Sequence, residues 1–296
     1  MIQLVWDGLF VGSFYALVAL GYSMVYGIIK LLNFAHGDIY MLGAFAGFVV
    51  LSGVGGVSAA FSVVALVGAL VAAMAVTGGL GVLVERVAYR PLRGSPRLAV
   101  LITAVGVSFT LEYGVAAAGA NPRVFPVRVQ SEALHVLGVR ITVAQLALMA
   151  IAVGLMVALD RYVNRTSTGR AMRAIALDPK GALLMGVNVN AVISRTFFIG
   201  SALAGAAGVM AGAYYGKIEF LMGFLIGLKA FTAAVMGGIG NIRGAMLGGL
   251  LLGLLEAFGA HVLGGEWRDV FTFAVLILFL SVKPTGLLGE RVSERV

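Results

Sequence analysis

Cysteine is absent from this 296-residue chain, which removes both a disulfide framework and a thiolate metal site. Histidine occurs at His36, His135 and His261 only, too far apart in sequence to suggest a metal centre, and none is expected. Charge is scarce as well: 11% of residues are Asp, Glu, Lys or Arg, against about 25% in an ordinary soluble domain. No Lys or Arg precedes Lys30, so the start lacks the basic n-region of a cleaved signal peptide and the first apolar run is expected to stay as a helix. A Walker A loop ends in Gly-Lys-Ser or Gly-Lys-Thr, but the five lysines are followed by Leu31, Gly181, Ile218, Ala230 and Pro284. The run Gly238-Ile239-Gly240 lies between apolar segments with no strand before it, unlike a dinucleotide loop. There is no His-Glu-x-x-His pattern and no nucleophile elbow. These absences argue against an enzyme, and no cofactor is expected in this chain.

What the chain has instead is 60% hydrophobic residues and 42 glycines. Apolar runs recur along its length on the scale of the roughly 20 residues that a bilayer core of about 30 Å requires. An all-α polytopic membrane protein is expected, a single transmembrane domain over 1–296, with runs at 8–29, 38–51, 60–84, 98–119, 142–159, 192–214, 223–239, 245–263 and 270–282. The second and seventh are short or glycine-rich and suit broken or re-entrant helices, so eight or nine crossings are expected. A formal charge of +8 points to membrane lipid and cytoplasmic loops rather than nucleic acid. With nine crossings and the N-terminus outside, the cytoplasm receives Lys30, Arg86, Arg90, Arg93, Arg97, Arg161, Arg165, Arg170, Arg173, Lys180, Arg195, Arg243, Lys283, Arg291 and Arg295. That is fifteen of the 21 cations, and it sets the C-terminus in the cytoplasm.

Two connections stand out. The segment 161–195 is long, polar and basic. Asp178-Pro179 offers an N-cap and a first helical position within it, and Gly186 offers a stop. Leu183, Leu184 and Met185 lie there flanked by charge, which marks a docking surface; the plainer alternative is a solvated basic loop with affinity for the membrane surface. The loop 120–141 contains Asn121-Pro122 and Phe125-Pro126 and is expected to cap the external mouth, with a small interfacial turn at 134–139.

Glycines four apart, such as Gly8/Gly12, Gly212/Gly216, Gly240/Gly244 and Gly249/Gly253, suit close helix packing in lipid. The run from Gly237 to Asn241 suits either packing or a hinge that lines a pathway. Charge inside a span is costly and often functional, so Glu256 is a candidate for the route or for pairing with another helix, while Glu112 and Lys229 sit nearer span ends. Asn33, His36 and Asp38 read either as a capping turn at the cytoplasmic surface or as a polar element close to an inner gate.

Two stretches carry a resemblance. Gly12-Ser-Phe-Tyr-Ala-Leu-Val-Ala-Leu-Gly-Tyr-Ser-Met-Val-Tyr-Gly27, running into Asn33-Phe-Ala-His-Gly-Asp38 and Tyr40-Met-Leu-Gly43, is similar to the N-terminal half of branched-chain amino acid ABC importer permeases of the LivH type. Ala234-Val-Met-Gly-Gly-Ile-Gly-Asn-Ile-Arg-Gly-Ala-Met-Leu-Gly-Gly249 resembles the C-terminal pattern of the same family. The resemblance implies a type II ABC importer-like transmembrane domain and a pathway between two permease chains, the second LivM-like. It also implies two ATP-binding subunits that hold ATP and Mg, and a periplasmic or extracellular solute-binding protein. The location implied is a bacterial or archaeal cell membrane, the inner one where there are two. It further implies that Arg170, Arg173, Asp178, Leu183, Leu184, Met185 and Gly186 belong to an ATPase-coupling segment, although Arg173-Ala174-Ile175-Ala176 replaces the usual Glu-Ala-Ala start. Asn33, His36, Asp38, Asn241 and Glu256 remain the translocation-pathway candidates. Permeases for urea or short amides share much of the pattern, and a proton-coupled secondary transporter working through Asp38, Glu112 or Glu256 is the rival of a different class.

Overall fold

The computed structural model describes residues 1–54, 59–119, 122–126, 133–136 and 139–289. Asn121, Arg128, Arg291 and Arg295 lie outside the described residues. Each apolar run forms a helix: α1 Ile2–Ile29, α2 His36–Val54, α3 Ala59–Val84, α4 Arg97–Ala117, α5 Val143–Arg165, α8 Val189–Tyr215, α9 Met222–Gly237, α10 Ile242–Leu263 and α11 Arg268–Val282. The polar segment between α5 and α8 folds as α6 Ser167–Leu177 and α7 Pro179–Leu184. Among the described residues six helices are long and apolar enough to cross a bilayer: Ile2–Ile29, Val64–Tyr89, Leu98–Ala117, Val143–Arg165, Val189–Tyr215 and Ile242–Leu263.

Four short strands accompany the helices among the described residues. Strands β1 Arg123–Val124, β2 Ala133–Val136, β3 Val139–Thr142 and β4 Lys217–Ile218 form two small antiparallel pairs, β1 with β4 and β2 with β3. Of the turn expected at 134–139, the described residues 134–136 and 139 lie in the paired strands β2 and β3. Phe125 anchors this end: its N–H donates to the Gly216 carbonyl at 3.0 Å, and its ring is buried.

Helices that are apolar all round must be surrounded by protein or lipid. Here α1 and α8 take the protein interior and are buried along most of their length, whereas α4 faces outward along most of its own. The packing has a repeating pattern: α1 lies on α10 as α8 lies on α3, α2 lies on α3 as α9 lies on α10, and α1 crosses α8 at the centre. The α1–α10 seam explains two of the glycine pairs. A Cβ on Gly8 would sit 2.9 Å from the Leu254 Cα, and one on Gly12 would sit 2.9 Å from the Gly249 carbonyl oxygen. Other pairs have a different cause: Gly216 ends α8 at φ 70° and Gly240 turns the chain between α9 and α10 at φ 94°, so Gly212/Gly216 and Gly240/Gly244 are not packing pairs within one helix.

Contacts sort the cations by end. Gly27 lies beside Gly240, Arg243 pairs with Asp160 at 3.0 Å, and Arg195 reaches Thr168 at 3.4 Å. The Leu288 N–H donates to the Gly237 carbonyl at 2.9 Å, which brings Lys283 to the same basic end. Arg140 bonds to Gln3 at the other end, where the strands also lie.

Candidate functional site

The segment 161–195 is built by three side-chain caps in succession. Thr166 accepts from Gly169 N–H at 3.1 Å and starts α6, Asp178 accepts from Lys180 N–H at 2.9 Å and starts α7, and Asn188 accepts from Ala191 N–H at 3.0 Å and starts α8. Gly186 adopts φ 80° and turns the chain after α7. Met172, Ile175 and Ala182 are buried, and Arg173 donates to the Val163 carbonyl, so the inner faces of both short helices are fixed to the bundle. Arg170 is exposed, and so are Leu177, Leu183, Leu184 and Met185, at 87%, 62%, 88% and 84%. A cluster this exposed gains nothing from burial within the chain. Leu177 was not anticipated from the sequence; its place one residue before the Asp178 cap was the available signal.

The polar group near α2 is not a surface turn. Lys30 takes a left-handed conformation, φ 54°, that ends α1 and reverses the chain. Residues 31–35 then run back along the bundle, and His36 reaches Gly21 of α1 at the level of Gly200 of α8. Gly200 lies eleven residues into α8, roughly 16 Å from its start at 1.5 Å per residue. Asn33, His36 and Asp38 are all buried, with Tyr89 donating to Asn33 at 2.9 Å, Ser108 donating to Asp38, and the Tyr22 ring meeting His36 edge-on at 4.8 Å. The Asn33 Nδ2, His36 Nε2 and Asp38 Oδ1 atoms have no hydrogen-bond partner among the described residues. Glu112, one turn beyond Ser108 on α4, is buried too. Close backbones make room for this group: a Cβ on Gly37 would lie 2.7 Å from the Gly227 Cα.

Glu256 does not stand with those residues. It is buried and forms ion pairs with Lys229 at 3.0 Å and with Arg268 at 2.9 Å, while Lys229 also lies 2.6 Å from Asp269. Two cations and two anions balance, and the pairing reading of Glu256 is the one its geometry favours. Lys229, 1% exposed, does not snorkel to the surface; it is held inside by its partners. Asn241 is an N-cap, accepting from Gly244 N–H at 3.0 Å and donating to the Leu288 carbonyl at 2.9 Å, so it ties the chain after α11 to the α9–α10 turn.

A further cluster lies at the turn that follows α3. Glu85, fully buried in a wide π turn over Glu85–Tyr89, accepts from Arg90 at 2.9 Å, from Ser194 at 2.7 Å and from Arg93. This joins α3 to α8, and the hydrogen bond to Glu85 holds the Arg90 guanidinium above its ordinary pKa. The signal was one acid among four arginines between residues 85 and 97.

Comparison with known proteins agrees with this architecture. The family model described as branched-chain amino acid transport system / permease component matches residues 4–280. The chain is 45% identical to the high-affinity branched-chain amino acid transport system permease protein BraD of Pseudomonas aeruginosa, over 98% of this chain and 96% of that one. It is 42% identical to the corresponding permease protein LivH of Escherichia coli K12, over 100% of this chain and 97% of the other. Matches of this extent and identity establish that the chain belongs to the branched-chain amino acid transport permease family, on the side of its LivH-type members.

Proposed function

We propose that this chain is the transmembrane permease subunit of an ATP-driven, binding-protein-dependent importer for leucine, isoleucine and valine. The observation that carries the reading is the end-to-end match to permeases named for that transport, at 45% and 42% identity. The chain is then no enzyme: two partner ATP-binding subunits bind ATP and Mg and hydrolyse the nucleotide. A LivM-like second permease completes the pathway, and a solute-binding protein delivers substrate. Nine helices cross the cell membrane of a bacterium or archaeon, with the N-terminus outside and the basic end in the cytoplasm, as the distribution of cations favours.

In this reading the exposed Leu177, Leu183, Leu184 and Met185 dock in a groove of an ATP-binding subunit. Closure of the nucleotide subunits draws two such segments together and moves the helices between inward- and outward-facing states. The buried group Asn33, His36 and Asp38 lies beside the route, where water can supply the partners that Asn33 Nδ2, His36 Nε2 and Asp38 Oδ1 lack. The test is reconstitution with both ATP-binding subunits, the second permease and the binding protein. Leucine-loaded binding protein is expected to stimulate ATP hydrolysis and uptake. Stimulation by urea-loaded binding protein instead would assign the chain to amide transport.

A further inference from the structure

At the basic end, between the π turn and the start of α8, lies a cavity of about 440 Å³ whose lining includes Arg86, Arg90, Asn190, Ser194 and Arg195 and no acidic side chain. Glu85 sits behind it with its carboxylate consumed by Arg90, Arg93 and Ser194. The charges of Glu85, Arg86, Arg90, Arg93 and Arg195 sum to +3, four cations less one anion. Arg86 makes no hydrogen bond or ion pair among the described residues, and Arg195 makes one long contact, 3.4 Å, to Thr168. Their guanidinium donors are free for a ligand with several acceptor oxygens.

A second hollow, about 460 Å³, adjoins the first and shares Arg195 and Phe198 with it. Beyond Arg195 and Tyr162 its walls are apolar: Met74 of α3, Leu155 and Ala158 of α5, Phe198 and Leu203 of α8. Along α8 it extends from Phe198 to Leu203, away from the basic end and toward the middle of the helix, a rise of about 7.5 Å. The two hollows together pair a cationic compartment at the basic end with an apolar one that follows α8 toward its middle.

We infer that the joined hollows bind an anionic phospholipid of the leaflet at the basic end, with its phosphate on Arg86 and Arg195 and one acyl chain along α5 and α8. Charge complementarity selects the headgroup, since basic pockets between membrane helices at the cytoplasmic surface favour anionic lipid. The direction of the apolar channel selects a lipid over an acidic segment of a soluble partner, which has nothing to place against Met74 and Leu203. Independent of transported substrate, the site rests only on the chain being embedded in a membrane.

The experiment uses purified full-length chain in detergent, with native mass spectrometry counting bound phosphatidylglycerol, phosphatidylcholine of the same acyl length, and inorganic phosphate as a competitor. Phosphatidylglycerol is expected to bind at least about tenfold more tightly than phosphatidylcholine, given about fivefold per neighbouring cation. Arg86→Gln with Arg195→Gln is expected to weaken phosphatidylglycerol about 25-fold by the same rule and phosphatidylcholine less, because the choline cation already offsets its phosphate, so that the preference for phosphatidylglycerol falls. Ala158→Trp, at an exposed position that carries no charge, is expected to weaken both lipids by filling the channel, and it decides the matter alone if the arginine pair fails to fold. Equal binding of the two lipids, or no change in Ala158→Trp, would overturn the proposal. So would displacement of the lipid by millimolar phosphate, which would leave an anion site without a tail.

Discussion

Single residues in this chain are decided by what a bilayer does to charge. Lys229, Glu256, Arg268 and Asp269 form a balanced group whose members are worth keeping only together, because removing one partner of a buried pair leaves an uncompensated charge at a cost of about 3–5 kcal/mol. Lys229→Met is accordingly expected to destabilise the protein by about 3 kcal/mol, read as a shift of the unfolding midpoint in mixed micelles. Adding Glu256→Gln leaves Arg268 and Asp269 to each other at 3.7 Å and is expected to recover most of that loss. A double variant no more stable than the single one would show that the pair is not the source of the effect. If transport stays low while stability returns, the Glu256 carboxylate has a role in the route beyond pairing. The sequence identified Glu256 and Lys229 as costly but not that they meet, because they lie 27 positions apart on different helices.

At the scale of the element, α6 and α7 divide their residues by face. Met172, Ile175 and Ala182 attach the pair to the bundle, while Leu177, Leu183, Leu184 and Met185 are left in solvent. Substituting Leu184→Asp and Met185→Asp touches only the outer face, so insertion and folding are expected to survive. ATP hydrolysis by the assembled importer is expected to continue while uptake falls at least about tenfold, the scale of 1.4 kcal/mol lost from a docking contact. Wild-type uptake in that variant would remove these residues from the coupling surface. The caps that position the element were legible from Asp178-Pro179 and Gly186; the burial of Gly169 against Val163 was not, since it depends on the angle at which α6 leaves α5.

For the molecule as a whole, α1 packs on α10 as α8 packs on α3, and the contact between α1 and α8 joins the two half-bundles at a common core. A topology with nine crossings also makes a sharp prediction. A reporter active only in the cytoplasm is expected to be silent when fused before Met1 and active when fused after residue 289. Equal activity at both termini would require an even number of crossings and would return α2 or α9 to a re-entrant role. The count turns on α2, α9 and α11, the three helices among the nine that are not long and apolar enough by themselves to count as spans, with 19, 16 and 15 residues.

The sequence by itself determined the membrane class, the nine helical segments and the basic end, because hydropathy and cation placement act locally and need no knowledge of neighbours. It also determined the family through Gly12–Asp38 and Ala234–Gly249. Tertiary structure alone decided that Asn33, His36 and Asp38 lie deep in the bundle. One left-handed residue, Lys30, folds the chain back, and that reversal is stable only where Gly21, Gly37 and Gly227 leave space on three different helices. It also decided that Glu85 collects two arginines and a serine from α8, since side chains separated by more than a hundred positions meet only when the helices pack.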